Sequence, residues 1–346
     1  MIAPASATGI GSLPGTESHE WSLTIAGELP DFPHVPELPA RGPGADMIGR
    51  TAALLARVAP DLAVETTPAG WRFADAPGRV MTRAESWLAQ DLDGIEEALH
   101  GRIGPLKCQL AGPWTLAAGI EMRNGERAVR DPGACRDIAE ALAEASASHV
   151  AEVRRRLPGA EIVLQLDEPS LPTVLAGGVG TASGLATYRS IDEQTAQARL
   201  GTVLEAARAA GALPGVHCCD ARAPIALLCR AGADMVSVDL AVLDGSQEEP
   251  LGVAVDAGAT VLLGLVPSLP VATRGAGELA ERAARHALDQ YSRWGFPAEV
   301  ANARVALTPQ CGLAGADPQW ARTAYAALRE AGRLMREDSD VPQEPS

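Results

Sequence analysis

Short runs rich in Val, Ile and Leu alternate along the chain with longer Ala-, Glu- and Arg-rich stretches whose apolar positions recur at helical spacing. A brief apolar run bounded by turn residues suits a strand buried on both faces, and a helix between successive strands is what parallel pairing requires. The pattern predicts eight strands, at 7–12, 62–66, 106–110, 162–166, 214–218, 235–240, 260–266 and 304–308. Helices are predicted at 46–58, 83–100, 131–157, 192–210, 222–231, 247–257, 277–294 and 318–336. Asp131-Pro132 and Asp317-Pro318 read as N-caps with proline in the first turn, and Gly211, Gly232 and Gly258 as residues just past helix C-termini. Eight such repeats without a Ser/Gly-rich linker predict an α/β fold, a single (β/α)8 TIM barrel over residues 1–336, with an acidic, disordered tail at 337–346.

One segment breaks the alternation. Residues 14–44 are rich in proline and include Phe32-Pro33-His34-Val35-Pro36-Glu37-Leu38-Pro39. Proline removes a backbone donor and fixes φ, so this segment is expected to be neither helix nor central strand. It is expected instead to lie across the barrel mouth formed by the loops after the strands, where the chemistry of this fold gathers.

Composition narrows the function classes. Of 346 residues 47% are hydrophobic and 21% charged, which excludes disorder and a collagen-like fibre. The formal charge is −15 and Lys107 is the only lysine, so phosphate backbones and anionic lipid would be repelled: no nucleic-acid or membrane partner is expected. The first 40 residues hold no Lys or Arg and no unbroken apolar core, so no signal peptide is expected. The longest uncharged stretch, 257–273, is interrupted by Gly258, Gly264, Pro267 and Pro270 and reads as a buried strand with its loop. A cytoplasmic location follows as the expectation. Six cysteines are too few for a disulfide scaffold in a chain of this length, and those near His and carboxylates point to metal binding or catalysis.

The candidate chemistry sits at strand ends. Val216-His217-Cys218-Cys219-Asp220 closes the fifth strand, and alternation puts His217 and Cys219 on one face with Cys218 on the other. Asp239 ends the sixth strand, and Pro309-Gln310-Cys311-Gly312-Leu313 follows the eighth. One imidazole, two thiols and a carboxylate suit zinc, and thiolates disfavour magnesium or calcium. Cys108, Cys135 and Cys229 lie in apolar strands or helices with no His partner and read as packing residues. Asp167-Glu168-Pro169 delivers a carboxylate to the mouth beside His217, either to hold an ammonium group or act as a base, or simply to cap a turn. Glu65 ends the second strand in similar fashion. Gly9-Ile10-Gly11-Ser12-Leu13-Pro14-Gly15 is not a dinucleotide fingerprint, because Pro14 replaces a required glycine; it suits close backbone approach to a small carboxylate.

Taken together, Ile10-Gly11-Ser12, Gln165-Leu166-Asp167-Glu168-Pro169, His217-x-Cys219 and Pro309-x-Cys311-Gly312-Leu313 resemble the catalytic barrel of cobalamin-independent methionine synthase, in order and over most of the chain. The resemblance implies a zinc-dependent methyltransferase that makes methionine from homocysteine. It implies zinc (Zn2+) on His217, Cys219, Asp239 and Cys311, and homocysteine's amino-acid end on Ile10, Ser12, Asp167 and Glu65. It also implies a methyl donor, methyltetrahydrofolate or a methyl-corrinoid protein.

This sequence departs from the family pattern in three ways. Asp239 stands where the family carries glutamate, one methylene longer. The chain has room for the catalytic barrel but not for the additional amino-terminal barrel that helps hold the folate tail. After the seventh strand Leu263-Gly264-Leu265-Val266-Pro267-Ser268 lacks the family's proton-transfer histidine. A folate leaving group needs a proton and a corrinoid does not, so the last departure favours a corrinoid donor. His34 is the one candidate to replace the missing acid, the alternative being a solvent-facing or turn-packed imidazole. The competing functions are a zinc alkyltransferase for another thiol and a zinc- or thiol-binding barrel without turnover.

Overall fold

The apolar runs pair as parallel strands. A computed structural model describes residues 2–339. It contains strands β1 (Ser6–Ala7), β2 (Val64–Thr67), β3 (Gly70–Phe73), β4 (Gly104–Ala111), β5 (Ile120–Glu121), β6 (Ala160–Asp167), β7 (Leu213–His217), β8 (Met235–Asp239), β9 (Thr260–Val266) and β10 (Val305–Pro309). Seven of them form one curled parallel sheet in the order β1-β10-β9-β8-β7-β6-β4, with helices between successive strands as a parallel sheet requires. Inside the curl, Phe32, Val163, Met235, Leu262 and Ala306 form a small apolar plug, while a larger core lies between sheet and helices.

The two edges, β1 and β4, are joined by the proline-rich segment. Lys107 N–H donates to the Pro33 carbonyl (3.0 Å) and Val35 N–H to the Lys107 carbonyl (2.8 Å). On the other side Glu37 N–H donates to Gly11 (3.1 Å) and Leu13 N–H to Glu37 (2.8 Å). Residues 33–37 are therefore the eighth stave, buried along their length, and not a cover over the mouth. Proline is tolerated because only Val35 and Glu37 need donate, and Gln109 Nε2 satisfies the Val35 carbonyl from the side (2.6 Å). The same stretch also contains a helix, Ser18–Glu28, against the expectation that it would have none.

Residues 62–66 are correspondingly not a stave. β2 and β3 form an antiparallel hairpin that β5 extends into a separate three-stranded sheet. In the Val64-Glu65-Thr66-Thr67 run only Val64 is buried and Glu65 and Thr66 are both exposed, unlike a barrel stave buried on both faces.

Six of the eight predicted strands hold their place, the first, expected at 7–12, is confined to Ser6–Ala7, and the helix ends were well marked. Asp131 accepts from Ala134 N–H (2.9 Å) and Asp317 from Trp320 N–H (2.8 Å) as N-caps. Gly211, Gly232 and Gly258 adopt φ of 87°, 101° and 95°, the left-handed termination that favours glycine. The last helix, Pro318–Ser339, runs past the expected end at 336, and the rest of the tail lies outside the described residues. Among the described residues no helix is long and apolar enough to cross a membrane.

Candidate metal centre and substrate pocket

Strand register puts the candidate residues on one rim. β6 and β7 pair with Asp167 opposite His217, β7 and β8 with His217 opposite Ser237, and β8 and β9 with Asp239 opposite Gly264. Any side chain at 264 would drive a Cβ to 2.8 Å from Gln310 Cα and 3.1 Å from Asp239 Cα. Glycine there lets the ends of β8 and β10 close toward each other, which brings the loop of Cys311 within reach of β7.

The result is a three-residue cluster. One ligand atom from each of His217, Cys219 and Cys311 lies within 4.8 Å of the other two. The two sulfurs are 3.4 Å apart, slightly less than the edge of about 3.8 Å set by two Zn–S bonds in a tetrahedron. His217 is buried, with Nδ1 2.9 Å from Ser237 Oγ and Nε2 without a partner. An imidazole with one nitrogen oriented by a neighbour and the other left free is how a metal-ligating histidine is held. The hydrogen bond from Cys219 lowers the Cys311 thiol to about 4, with further help from His217, while the same bond pushes Cys219 up. The contact between the two sulfurs thus favours the thiolate on one of them.

Asp239 stands beside this cluster and not within it. Its Oδ1 accepts from Ala241 N–H (2.9 Å), and its half-buried carboxyl is raised by desolvation. Ser268, in the segment that lacks histidine, accepts the Cys311 N–H (2.8 Å) and so shapes the cysteine loop.

The first loop meets the last. Leu313 N–H donates to the Ser12 carbonyl (2.8 Å), and a Cβ at Gly312 would collide with Ser12 Oγ. Ser12 therefore sits one residue from Cys311. The Ile10 carbonyl turns inward and accepts from Lys107 Nζ (2.7 Å) and Gln165 Nε2 (3.0 Å). Gln165 Nε2 also donates to Asp167 Oδ1 (2.7 Å), and burial raises the Asp167 carboxyl.

Glu37, at the end of the proline-rich stave, joins Asp167 through a shared electrostatic environment. Desolvation raises it to about 7, Arg50 opposes that rise, and Asp167 adds to it. Glu168, beside Asp167 in sequence, serves another purpose. It accepts from Trp114 N–H (2.9 Å), Thr115 N–H (2.8 Å) and Thr115 Oγ1 (2.9 Å), capping the helix Pro113–Gly119.

Two sequence candidates are not brought to this place. Glu65 is exposed on the hairpin and pairs with Arg72 at 2.7 Å. His34 is fully buried in the stave. Its Nδ1 donates to the Val35 carbonyl (3.0 Å), so its Nε2 accepts from Tyr325 Oη (2.8 Å). Desolvation, with Lys107 nearby, drops His34 to about 3, so the ring is neutral and has no proton to give near pH 7. It fails as the substitute acid for the same reason the segment fails as a cover: it is part of the barrel wall.

Sequence reasoning passed over Ser237, Ser268, Glu37, Gln165 and the role of Lys107. Only Ser237 carried a usable signal, being two residues before Asp239 on the same face of β8.

Comparison with known proteins agrees with this geometry. The family model described as cobalamin-independent synthase, catalytic domain, matches residues 5–334. A solved B12-independent methionine synthase from Shewanella sp. W3-18-1, in complex with selenomethionine, is 13% identical, covers 97% of this chain and 99% of its own, and superposes at a TM-score of 0.59. A GH5_18 protein from Streptomyces cattleya in complex with GlcNAc, 14% identical over 99% of this chain and 83% of its own, reaches 0.49 and is too distant to bear on function. No curated protein matches in sequence. The match over almost the whole length places this chain in the cobalamin-independent synthase catalytic-domain family.

Proposed function

We propose that this chain is a zinc-dependent methyltransferase that converts homocysteine to methionine. The observation that carries the reading is the convergence of His217, Cys219 and Cys311, with His217 Nε2 free and its other nitrogen already engaged. These donors fit zinc, and Asp239, which interacts electrostatically with Cys311 and His217, supports the set from beside it. A zinc ion held there would supply the positive charge that keeps a substrate thiol deprotonated at neutral pH.

The chain's own residues place the rest of the substrate. Asp167 is buried and raised by desolvation, and an α-ammonium group would supply further counter-charge. Glu37 takes the second carboxylate position in this reading, in place of Glu65, because it faces the same buried environment. Among the described residues the Gly11 and Ser12 N–H groups have no hydrogen-bond partner, so they are available to the α-carboxylate. The thiol is then oriented for in-line attack on the donor's methyl group.

The donor is ranked by protons. Methyltetrahydrofolate leaves as an amine that must be protonated, whereas a methyl-corrinoid protein needs no acid. With His34 neutral and buried, a corrinoid donor fits these residues better. The test is metal analysis of the purified protein followed by a donor screen with homocysteine. About one zinc per chain is expected, with faster methionine formation from the corrinoid than from methyltetrahydrofolate. A protein that binds no zinc, or makes no methionine from either donor, would overturn the proposal.

A further inference from the structure

The chain has one lysine, and it is fully buried in the barrel wall while 28 arginines serve everywhere else. Burying an ammonium group is costly unless it is paired and hydrogen-bonded. Lys107 is compensated by the Ile10 carbonyl at 2.7 Å, Gln109 Oε1 at 3.4 Å, and the nearby charges of Asp167 and Glu37. An apolar residue there would have been the simpler way to fill the space.

What the ammonium does is read from the peptide it grips. The Ile10 carbonyl accepts two donors, one of them charged, and both come from inside the barrel. In a trans peptide the carbonyl and the next N–H point in opposite directions. Holding the Ile10 carbonyl inward therefore aims the Gly11 N–H away from the barrel interior, and polarising that carbonyl strengthens the N–H as a donor. The neighbouring Ser12 is fixed from its other side by Leu313 N–H, one loop with Cys311. Gly11 has no room for a side chain, because a Cβ would lie 2.8 Å from Gln109 Cγ.

We propose that Lys107 is a positioning residue that, through the Ile10 carbonyl, orients the Gly11 N–H onto the α-carboxylate of the acceptor thiol. The inference rests on the methionine-forming reading for the identity of that acceptor. It adds that recognition of the carboxylate is controlled by a residue that never touches the substrate.

The test compares two thiols on the zinc-loaded protein by titration calorimetry: L-homocysteine, and 3-aminopropane-1-thiol, which keeps the ammonium and thiol but lacks the carboxylate. Wild type is expected to prefer homocysteine by about tenfold or more, and Lys107→Met to lose most of that preference, whatever change in ammonium binding the two thiols share. A merely structural lysine would weaken both thiols alike, so an unchanged preference in Lys107→Met overturns the inference and leaves the proposed function standing. Wild type that binds neither thiol overturns the acceptor reading and this inference with it. If Lys107→Met does not fold, protein labelled with 13Cε-lysine gives the second measurement, since Lys107 is the only lysine signal. That signal should shift further with homocysteine than with 3-aminopropane-1-thiol; equal responses to the two overturn the inference.

Discussion

Two walls of the barrel mouth are built by opposite means. The wall at the ends of β7, β8 and β10 carries half-exposed thiols and one buried imidazole, few of them paired with each other's charge and one nitrogen left free. The wall where β1, residues 33–37 and β4 meet is a closed ionic chain. Glu37 pairs with Arg50 at 3.7 Å, Arg50 pairs closely with Asp91, and Arg41 reaches Asp91 at 2.9 Å, nearly all out of contact with water. The first wall gathers donor atoms of which His217 Nε2 has no hydrogen-bond partner. The second pairs its charges among themselves, and of its members only Glu37 also faces Asp167.

The sharpest way to separate the two is to damage the first. Cys311→Ser replaces a sulfur ligand with a hydroxyl that stays protonated, so zinc content should fall below about one tenth of wild type. Methyl transfer should drop by about a thousandfold or more, while the urea midpoint of the metal-free protein barely moves. Full zinc retention in the variant would mean that the three residues do not act as one site.

Damage to the second wall should do the reverse. Asp91 is completely buried and also accepts from Ser18 Oγ at 2.7 Å. Asp91→Ala strands two buried guanidinium groups, and removing one member of such a set costs about 3–5 kcal/mol. Urea unfolding should show that loss with metal stoichiometry intact. A cost below about 1 kcal/mol would show that water already reaches this wall.

The same contrast decides what was legible beforehand. His217, Cys219 and Cys311 were readable because each lies within two residues of a strand end, and the fold delivers strand ends to one place. The second wall was not, because its members come from a proline-rich segment, two helices and the middle of β4, and nothing in their spacing ties them together. Proline in residues 33–37 argued against a strand. It misled because this stave pairs through only a few of its N–H groups, so the donors that proline removes were never needed. The run at 62–66 erred the other way: its composition suits a strand, and it is one, but its exposed face puts it on a surface hairpin. Periodicity finds strands more readily than it finds which sheet they join.

The smallest expected effect concerns His34, which sequence reasoning placed at the mouth and the fold places in the wall. Its pKa is about 3, lowered by desolvation and then by Lys107, against the Val35 carbonyl that favours the charged form; Tyr325 Oη completes its surroundings. The folded pKa lies below the unfolded value of about 6.5, so His34 contributes stability that is fully present above pH 6.5 and is lost as pH falls toward 3. Glu37 and Glu168, both raised to about 7 by burial, act with the opposite sign: they cost stability at neutral pH and recover it on acidification. Total stability therefore mixes both signs, and only the difference between wild type and His34→Gln isolates the histidine. Between pH 7 and pH 5 wild type should lose about 2 kcal/mol more than the variant, measured as the change in urea-unfolding free energy. The pH profile of methyl transfer should be the same in both proteins, since a ring that holds no proton near neutrality has none to donate. Parallel stability curves, or a lost ionisation in the rate profile of His34→Gln, would return this histidine to the mouth and with it the case for methyltetrahydrofolate as donor.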